Sequence, residues 1–391
     1  LKTSSIPHFR ELTLDSQSSG PKILWIRNNE PDVYERTRYF LTSESYLVYK
    51  LTGKATIDIY TAGAFAPLFN SAGIAYVDEM EAHITEIDRL PDYYWSHEVV
   101  GEVTAQAAAE TGLAEGTPVI VGTTDASAEA ISAGLANVGD MMLMFGSSIF
   151  FILQTDRIIK PKKFWASNFL DKGTYAFLGG LSTSGSLTRW FLNEFGQSEQ
   201  EQEHQGGPNA YAALADLAAT SPPGANGLVT LPYFEGERTP LHDPRAKGVV
   251  FGLSIKHTRA DVYRSLLESV AYGIRHNLEE MQLENVYPER ILAVGGGTKN
   301  MEWMQIVSDV ANVPLYVPEQ QIGASYGDAF MAGIGVGVFD GYSDISKWVR
   351  MRHVVTPQET GVSAYNFNYK IFRNLYEQTK SLMHEISDNE R

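Results

Sequence analysis

One run of this chain specifies its local structure most narrowly: Gly248-Val-Val-Phe-Gly-Leu253, then seven residues, then Asp261-Val-Tyr-Arg-Ser-Leu-Leu-Glu268. Glycines at both ends of a β-branched run are typical of a strand that another segment approaches closely. After Asp261, the residues Leu266, Leu267 and Val270 recur at the spacing of one helix face. The run therefore predicts a strand, a loop and a helix.

A second informative run, Ser19-Gly-Pro-Lys-Ile-Leu-Trp-Ile-Arg-Asn-Asn29, lies far upstream of the first. In this order the two runs resemble the two signatures of the FGGY family of carbohydrate kinases, and Glu268 is part of that resemblance. The similarity extends from about Gly20 to Val338. Within it, Met141-Met-Leu-Met-Phe-Gly-Ser-Ser148 looks most like members described as xylulokinase-like.

The resemblance implies an α/β fold with two actin-like (ribonuclease H-like) domains around a cleft. The length of 391 residues also favours two domains, because single hydrophobic cores stop growing at about 250–300 residues. The two glycines in the segment 134–140 predict that the junction between the two domains lies there. Residues 1–137 are then the remainder of a sugar-binding N-terminal domain, and 138–391 a nucleotide-binding C-terminal domain.

The N-terminal domain is expected to be incomplete. Family members begin with an apolar strand and an Asp-x-Gly-Thr loop, and neither has a counterpart near Leu1. The expected missing segment is roughly a hundred residues, comparable to a small domain. The resemblance then implies that this chain alone is inactive and that the Mg²⁺ ligands lie mainly in the missing segment.

Composition excludes several classes of function. A net charge of −16 without a basic cluster argues against nucleic-acid binding. The absence of cysteine excludes disulfides and thiolate metal sites, which suits a cytoplasmic protein. No apolar run reaches the roughly 18 residues needed to span a bilayer, so no membrane partner is expected. The nine histidines are scattered, and no pair has metal-ligand spacing.

Apolar runs and their glycine boundaries predict the elements around the candidate sites. They are a helix over 31–51, a buried strand over 118–121, a helix over 126–134, two strands around Gly146-Ser147-Ser148, a strand over 175–180, a polar loop over 198–208, a strand over 291–294 and a helix over 300–310.

Asp125 ends the run Gly122-Thr-Thr-Asp125, between a predicted strand and a predicted helix. A carboxylate there can accept hydrogen bonds from first-turn amides as a helix N-cap. It can equally orient a substrate hydroxyl and accept its proton during phosphoryl transfer. The segment 122–129 is similar to the family segment that carries the catalytic aspartate, so the resemblance implies that Asp125 is the general base and contacts the sugar.

Three glycine-containing segments are candidates for nucleotide binding. Gly146, Ser147 and Ser148 form either a tight hairpin turn or a phosphate loop, in which glycine lets amides approach oxygens; the family's similar loop is Gly-Thr-Ser. Gly185 matches a nucleotide-contacting glycine of the family, although a helix cap is nearly as good an account.

The third segment, Gly295-Gly296-Gly297, follows a strand and precedes Asn300. Walker and Rossmann motifs are absent, and the resemblance implies that Gly296, Gly297 and Asn300 accept the adenosine side of ATP. The small residues in 323–333 are expected to serve packing. The segment 236–244 brings together the catalytic residue types Glu237, Arg238, His242 and Asp243, but the family carries a similar segment, so it is expected to brace the loop before the second signature. Asp58 occupies the position of a family segment that flanks the sugar cleft, which makes it a candidate sugar contact.

The implied activity is ATP-dependent phosphorylation of a sugar hydroxyl, with ATP and Mg²⁺ as cofactors and a pentulose such as D-xylulose as the first candidate substrate. Kinases for gluconate, ribulose or glycerol share these motifs. A non-catalytic sugar- or nucleotide-binding remnant of the fold is the alternative from another class. Family enzymes are often dimers, so a homodimer is possible.

Overall fold

The computed structural model describes residue 14 and residues 18–159, 161–319 and 322–390. Its α-helices are Ser19–Asn29, Pro31–Arg36, Ser43–Thr52, Ile59–Ala62, Ala105–Thr111, Asp125–Ser132, Gly185–Phe195, Gln197–His204, Ala210–Ala219, Arg259–Leu283, Met301–Ala311, Ala324–Gly335 and Val362–Asn389. Its strands are Thr56–Asp58, Phe69–Asn70, Ala75–Tyr76, Asp92–Tyr94, Val99–Glu102, Pro118–Ile120, Asp140–Phe145, Ile149–Thr155, Trp165–Asn168, Tyr175–Leu181, Val229–Leu231, Val249–Phe251, Arg290–Val294, Leu315–Pro318 and Met351–Val355.

A seven-stranded sheet forms the centre of the second half of the chain. Its order is Met351–Val355, Leu315–Pro318, Arg290–Val294, Asp140–Phe145, Ile149–Thr155, Tyr175–Leu181 and Trp165–Asn168. The strands Asp140–Phe145 and Arg290–Val294 are parallel neighbours. Because parallel neighbours end at the same edge of a sheet, the turns that follow them, 146–148 and 295–297, begin side by side.

Both faces of this sheet are covered, which explains why Met141 to Phe145 is a continuous apolar run. Met141 and Leu143 belong to a core shared with the helices Arg259–Leu283 and Met301–Ala311. Met142 lies on the opposite face, in a core shared with Asp125–Ser132 and Ala324–Gly335. The helix that begins at Asp125 is therefore packed against the central sheet.

Close packing of two helices depends on Gly327. A Cβ atom on Gly327 would lie 1.9 Å from the carbonyl oxygen of Ala128, so any side chain there would collide with the backbone of the helix Asp125–Ser132. Gly333 likewise lies against the ring of Phe339, 2.5 Å from where its Cβ would be. Gly327 and Gly333 therefore serve packing, as predicted for the small residues of 323–333, whereas a Cβ on Gly323 would have no neighbour within 4 Å.

In the described part of residues 1–137, strands occur as two-stranded pairs. Thr56–Asp58 pairs in parallel with Asp92–Tyr94, and the remaining four strands form two antiparallel pairs. A separate core stabilises this region through buried residues that include Ile57, Leu68 and Ile84. Among the described helices, none has the length and apolarity of a membrane span.

The predicted helix over 31–51 is two helices, Pro31–Arg36 and Ser43–Thr52. The guanidinium of Arg89 donates to the carbonyl oxygens of Tyr34 and Thr37, and the amide of Phe40 donates to the carbonyl oxygen of Arg89. These contacts hold 37–42 in a non-helical path, although the local sequence is compatible with a helix.

The predicted polar loop over 198–208 contains the helix Gln197–His204. Glutamine and glutamate are good helix formers, and Glu199, which is buried, forms an ion pair with Arg259. The strand predicted over 118–121 is also less buried than expected, since Pro118 is exposed.

The region of the second signature has the predicted strand, loop and helix. Gly248 precedes the strand Val249–Phe251, and its Cβ would lie 2.3 Å from the ring of Phe234. The helix begins at Arg259, two residues before the predicted start, because Thr258 and Asp261 form a reciprocal capping box.

Candidate active site

The hairpin turn at 146–148 lies against the start of the helix Gly185–Phe195. The amides of Ser184 and Ser186 donate to the carbonyl oxygen of Ser147 at 2.9 and 3.0 Å, and the amide of Gly185 donates to that of Gly146 at 2.9 Å. A Cβ on Gly185 would lie 2.6 Å from the carbonyl oxygen of Gly146. The structure thus brings together two of the glycine segments that the sequence indicated.

These hydrogen bonds change the interpretation of Gly185. The first amides of a helix can bind phosphate when they have no other acceptor, but here the amides at 184–186 already donate to the hairpin turn. The geometry therefore favours the alternative in which Gly185 starts and packs the helix. Ser184 is fully buried, and its hydroxyl has no hydrogen-bond partner among the described residues.

The hydroxyls of Ser147 and Ser148 remain available for a ligand. Ser147 is exposed and Ser148 is half-buried. Among the described residues, the hydrogen bonds at this turn engage the backbone of 146–148 and leave both hydroxyls unused. This turn is therefore a hairpin turn and a candidate phosphate loop at once.

The turn 295–297 lies beside the same hairpin. A Cβ on Gly295 would lie 2.7 Å from the carbonyl oxygen of Phe145, and a Cβ on Gly297 would lie 2.8 Å from the Cβ of Phe145. In contrast, a Cβ on Gly296 would have no described heavy atom within 4 Å, so this glycine faces open space. Asn300 is the N-cap of the helix Met301–Ala311, because its side-chain oxygen accepts from the amide of Trp303 at 3.0 Å.

Asp125 is the first residue of the helix Asp125–Ser132, and the N-cap is Thr124. The carboxylate of Asp125 is exposed and accepts one hydrogen bond, from the adjacent amide of Ala126 at 2.8 Å. Partial burial, and secondarily the charge of Asp125, raise the pKa of Glu129 one turn later. Asp125 thus presents an ionisable oxygen to solvent from a rigid, well-packed helix.

The carboxyl group of Asp58 is buried and hydrogen-bonded to Thr123, two residues before Asp125. Its residue exposure is 0%, and its carboxylate accepts from the hydroxyls of Thr123 at 2.9 Å and Ser96 at 3.2 Å. Burial raises the pKa of Asp58 to about 7. A direct contact with a sugar, as the sequence suggested, would require this region to open.

Glu237, which the sequence indicated only as part of the bracing segment 236–244, is buried beside the start of the helix Gly185–Phe195. Its Oε1 accepts from the amides of Ser182 at 2.9 Å and Arg238 at 2.7 Å. The segment 236–244 therefore braces the loop that leads into Gly185, and its Asp243 also accepts from the amide of Arg245 at 3.1 Å, in the loop before the second signature. The exposed neighbours on either side, Glu235 and Arg238, give no sequence signal that Glu237 is buried.

Ionisation of Glu237 is expected to make stability pH-dependent. Burial raises its pKa from 4.5 to about 8, so the folded state binds the proton more tightly than the unfolded state. The contribution is full below about pH 4.5, falls as the pH rises toward 8, and amounts to a few kcal/mol in order of magnitude. We expect Glu237→Gln to flatten this part of the stability profile, measured by urea unfolding between pH 5 and 8. The exposed Glu235→Gln is the control, and equal slopes in both variants would contradict the expectation.

Packing at Gly185 gives a second prediction. Gly185→Ala places a methyl group against the Gly146 carbonyl and should push the helix away from the hairpin turn, at a cost of about 1–3 kcal/mol in stability. ATP affinity should fall about tenfold, which corresponds to roughly 1.4 kcal/mol, as measured by calorimetric titration. Gly341→Ala is the control, since no atom lies within 4 Å of its added Cβ. Unchanged ATP affinity in Gly185→Ala would separate this turn from the nucleotide.

The described residues do not form a magnesium site made of protein side chains alone. They contain no group of three or more histidine or acidic side chains arranged to hold a metal. Magnesium usually keeps several waters and is held by one or two carboxylates together with substrate phosphates. The residues present therefore do not by themselves specify its position. Nor do the described hydrogen bonds and ion pairs join Asp125 to the glycine turns.

Known proteins resemble this chain over nearly its whole length. The sequence model of the N-terminal domain of the FGGY family of carbohydrate kinases matches residues 2–132, and that of the C-terminal domain matches residues 141–336. A xylulose kinase of Staphylococcus epidermidis is 28% identical over 94% of this chain and 72% of its own length. A gluconokinase of Bacillus subtilis is 25% identical over 95% of this chain and 72% of its own length.

The crystal structure of a xylulose kinase from Rhodospirillum rubrum superposes with a TM-score of 0.86 at 32% identity, covering 95% of this chain and 74% of that one. The predicted α/β fold with two actin-like domains is thereby confirmed. The N-terminal match gives no support to the expectation of an incomplete first domain or of an inactive fragment. With both domain models matched in order, the chain belongs to the FGGY family of carbohydrate kinases.

Proposed function

We propose that this chain catalyses ATP-dependent phosphorylation of a pentulose hydroxyl, with D-xylulose as the first candidate. The observation that carries the proposal is the meeting of the turns 146–148 and 295–297 at one edge of the central sheet. Glycine-rich turns at the carboxyl ends of strands are where α/β folds bind phosphates and nucleotides. The names of the relatives, xylulose kinase among them, support the choice of substrate.

Each glycine segment has its own proposed role toward ATP. Gly146 allows the turn, and the hydroxyls of Ser147 and Ser148 donate to phosphate oxygens. Gly296, which faces open space, lets the adenosine side approach the backbone. Gly297 keeps the turn against Phe145, and Asn300 holds the following helix start. Gly185 contributes by letting its helix pack against the hairpin turn.

In the proposed mechanism Asp125 acts as general base. Its carboxylate orients the sugar hydroxyl and accepts its proton while the oxygen bonds to the γ-phosphorus, and ADP leaves with the electron pair of the broken bond. Phosphoryl transfer depends mainly on positioning and electrostatics, so the rigid packing of this helix supports the role. When bound, Mg²⁺ supplies neutralisation of phosphate charge.

In this proposal the two domains bind different substrates. Residues 1–137 form the sugar-binding domain and 138–391 the nucleotide-binding domain. A homodimer also remains a prediction, which sedimentation analysis would test.

The experiment that tests this function measures ADP formation by the purified chain with D-xylulose, D-ribulose, gluconate and glycerol. ADP formation dependent on D-xylulose is expected, and a preference for another member of the panel would replace the substrate. Calorimetric titration of ATP and each sugar runs in parallel. Binding without ADP formation by any substrate would favour the non-catalytic binding module.

A further inference from the structure

A chain of hydroxyl groups connects Asp58 to the start of the helix that carries Asp125. Asp58 Oδ2 accepts from Thr123 Oγ1 at 2.9 Å. The hydroxyls of Thr123 and Ser127 are 2.9 Å apart, and those of Ser127 and Thr124 are 2.8 Å apart. Thr124, the N-cap, makes no capping bond to the helix amides through its side chain. Asp58 is therefore linked to the first turn of this helix through the hydroxyls of Thr123, Ser127 and Thr124.

We propose that Asp58 is a positioning residue that acts through Thr123 on the carboxylate of Asp125. The proposal rests on the function proposed above, in which Asp125 is the base. It replaces the role of Asp58 as a direct sugar contact, because the carboxyl of Asp58 is closed to solvent. Thr123 is two residues before Asp125, so a shift of Thr123 is transmitted to Asp125 through the intervening backbone.

The burial of Asp58 is costly, which argues against a purely structural role. Among the described residues its Oδ1 is buried without a hydrogen bond of ordinary geometry. Leaving such a group unsatisfied costs about 1–3 kcal/mol, of which hydrogen bonding by the nearby Thr61, which lowers the pKa of Asp58 against the larger effect of burial, offsets a part. The carboxylate of Glu44 adds to the effect of burial on the pKa of Asp58. Unsatisfied buried groups call for a specific explanation, and a role in catalysis is one such explanation.

Thr123→Val is the central test, because valine has nearly the shape of threonine and removes only the hydroxyl. We expect kcat to fall by about 10- to 100-fold, since small displacements of a catalytic group cost rates of this order. The KM for ATP should stay within about twofold, because the glycine turns are untouched. Thr123→Ser keeps the hydroxyl and should restore most of the rate. Ser96→Ala, which removes the other hydrogen bond to Asp58 Oδ2 but does not lead to Asp125, is the matched control.

A double-mutant cycle then links Thr123 to Asp58. Asp58→Ala should lower kcat as Thr123→Val does, and the double variant should lose little more than either single one, because both remove the same connection. Asp58→Asn should retain most of the rate, since an amide oxygen can still accept from Thr123. If Asp58→Ala does not fold, the comparison of Thr123→Val with Thr123→Ser and Ser96→Ala carries the test, and equal kcat in all three variants would overturn the positioning role.

The outcomes separate the two proposals. Wild-type protein that forms no ADP with any substrate would refute the kinase function itself. Wild-type activity together with an unchanged kcat in Thr123→Val would overturn only the positioning role. Multiplicative losses in the cycle, or equal losses in Ser96→Ala, would also overturn it.

Discussion

Replacement of Asp125 with asparagine is expected to lower kcat by roughly 10²- to 10⁴-fold, the usual contribution of a general base. Asparagine keeps the size of the side chain and an oxygen that can accept from the amide of Ala126, but it cannot take up the proton of a sugar hydroxyl. Because Asp125 is exposed at the helix start, stability should hardly change. The measurement is steady-state ADP formation with D-xylulose, together with thermal unfolding.

The control for this variant is Asp156→Asn, an exposed carboxylate at the far end of the strand that follows the 146–148 turn. It should keep wild-type kcat. Calorimetric titration should give the same ATP affinity for Asp125→Asn as for the wild type, since the nucleotide turns are unchanged. Turnover close to wild type in Asp125→Asn would contradict a general base and leave Asp125 as a helix-start residue only.

Replacement of Glu268 with alanine is expected to lower the free energy of unfolding by about 3–5 kcal/mol, the cost of removing one partner of a buried ion pair. Glu268 Oε1 accepts from Arg264 Nε and from the amide of Gly224, both at 2.9 Å. Exposure is 0% for the Glu268 side chain and 4% for that of Arg264. Alanine would leave the guanidinium with Glu302 as its remaining ion-pair partner, at 3.0 Å, and the Gly224 amide without its acceptor. Urea unfolding at pH 7 measures the change.

Two variants check this interpretation. Glu268→Gln keeps an oxygen for Gly224 and should cost clearly less than alanine, because the amide hydrogen bond is retained. Asp88→Ala removes the partner of Arg38 in an ion pair whose side chains are 61% and 72% exposed, and surface pairs contribute little to stability. If Glu268→Ala were as mild as Asp88→Ala, the buried pair would not be a stabilising element.

Local chemistry in the sequence predicted most elements of the central sheet. The strands around Gly146–Ser148 and the strand before Gly295 are continuous apolar runs, and such runs can be recognised locally because both faces are buried. The helix predicted from residue 300 begins at Met301, with Asn300 as its N-cap. The resemblance of the second signature then led to the family, which both domain matches confirm.

The misplaced elements depended on distant partners. The break between Arg36 and Ser43 is held by Arg89, more than fifty positions downstream. The helix Gln197–His204 is attached through Glu199 to Arg259. Neither partner can be inferred from the residues around the segment itself.

At the candidate site, residue types alone determined which groups can do chemistry, whereas tertiary structure decided which of them are accessible. Asp58 ends a strand and Asp125 begins a helix. Asp58 is nevertheless fully buried against Thr123, whereas Asp125 is exposed. Gly185 begins a helix and Gly296 lies in a turn, yet a Cβ on Gly185 would meet a carbonyl oxygen and a Cβ on Gly296 would face open space. The sequence specifies which groups can form hydrogen bonds and which residues have a flexible backbone. The burial of a residue depends on the side chains that pack around it, and these come from positions far away in the chain.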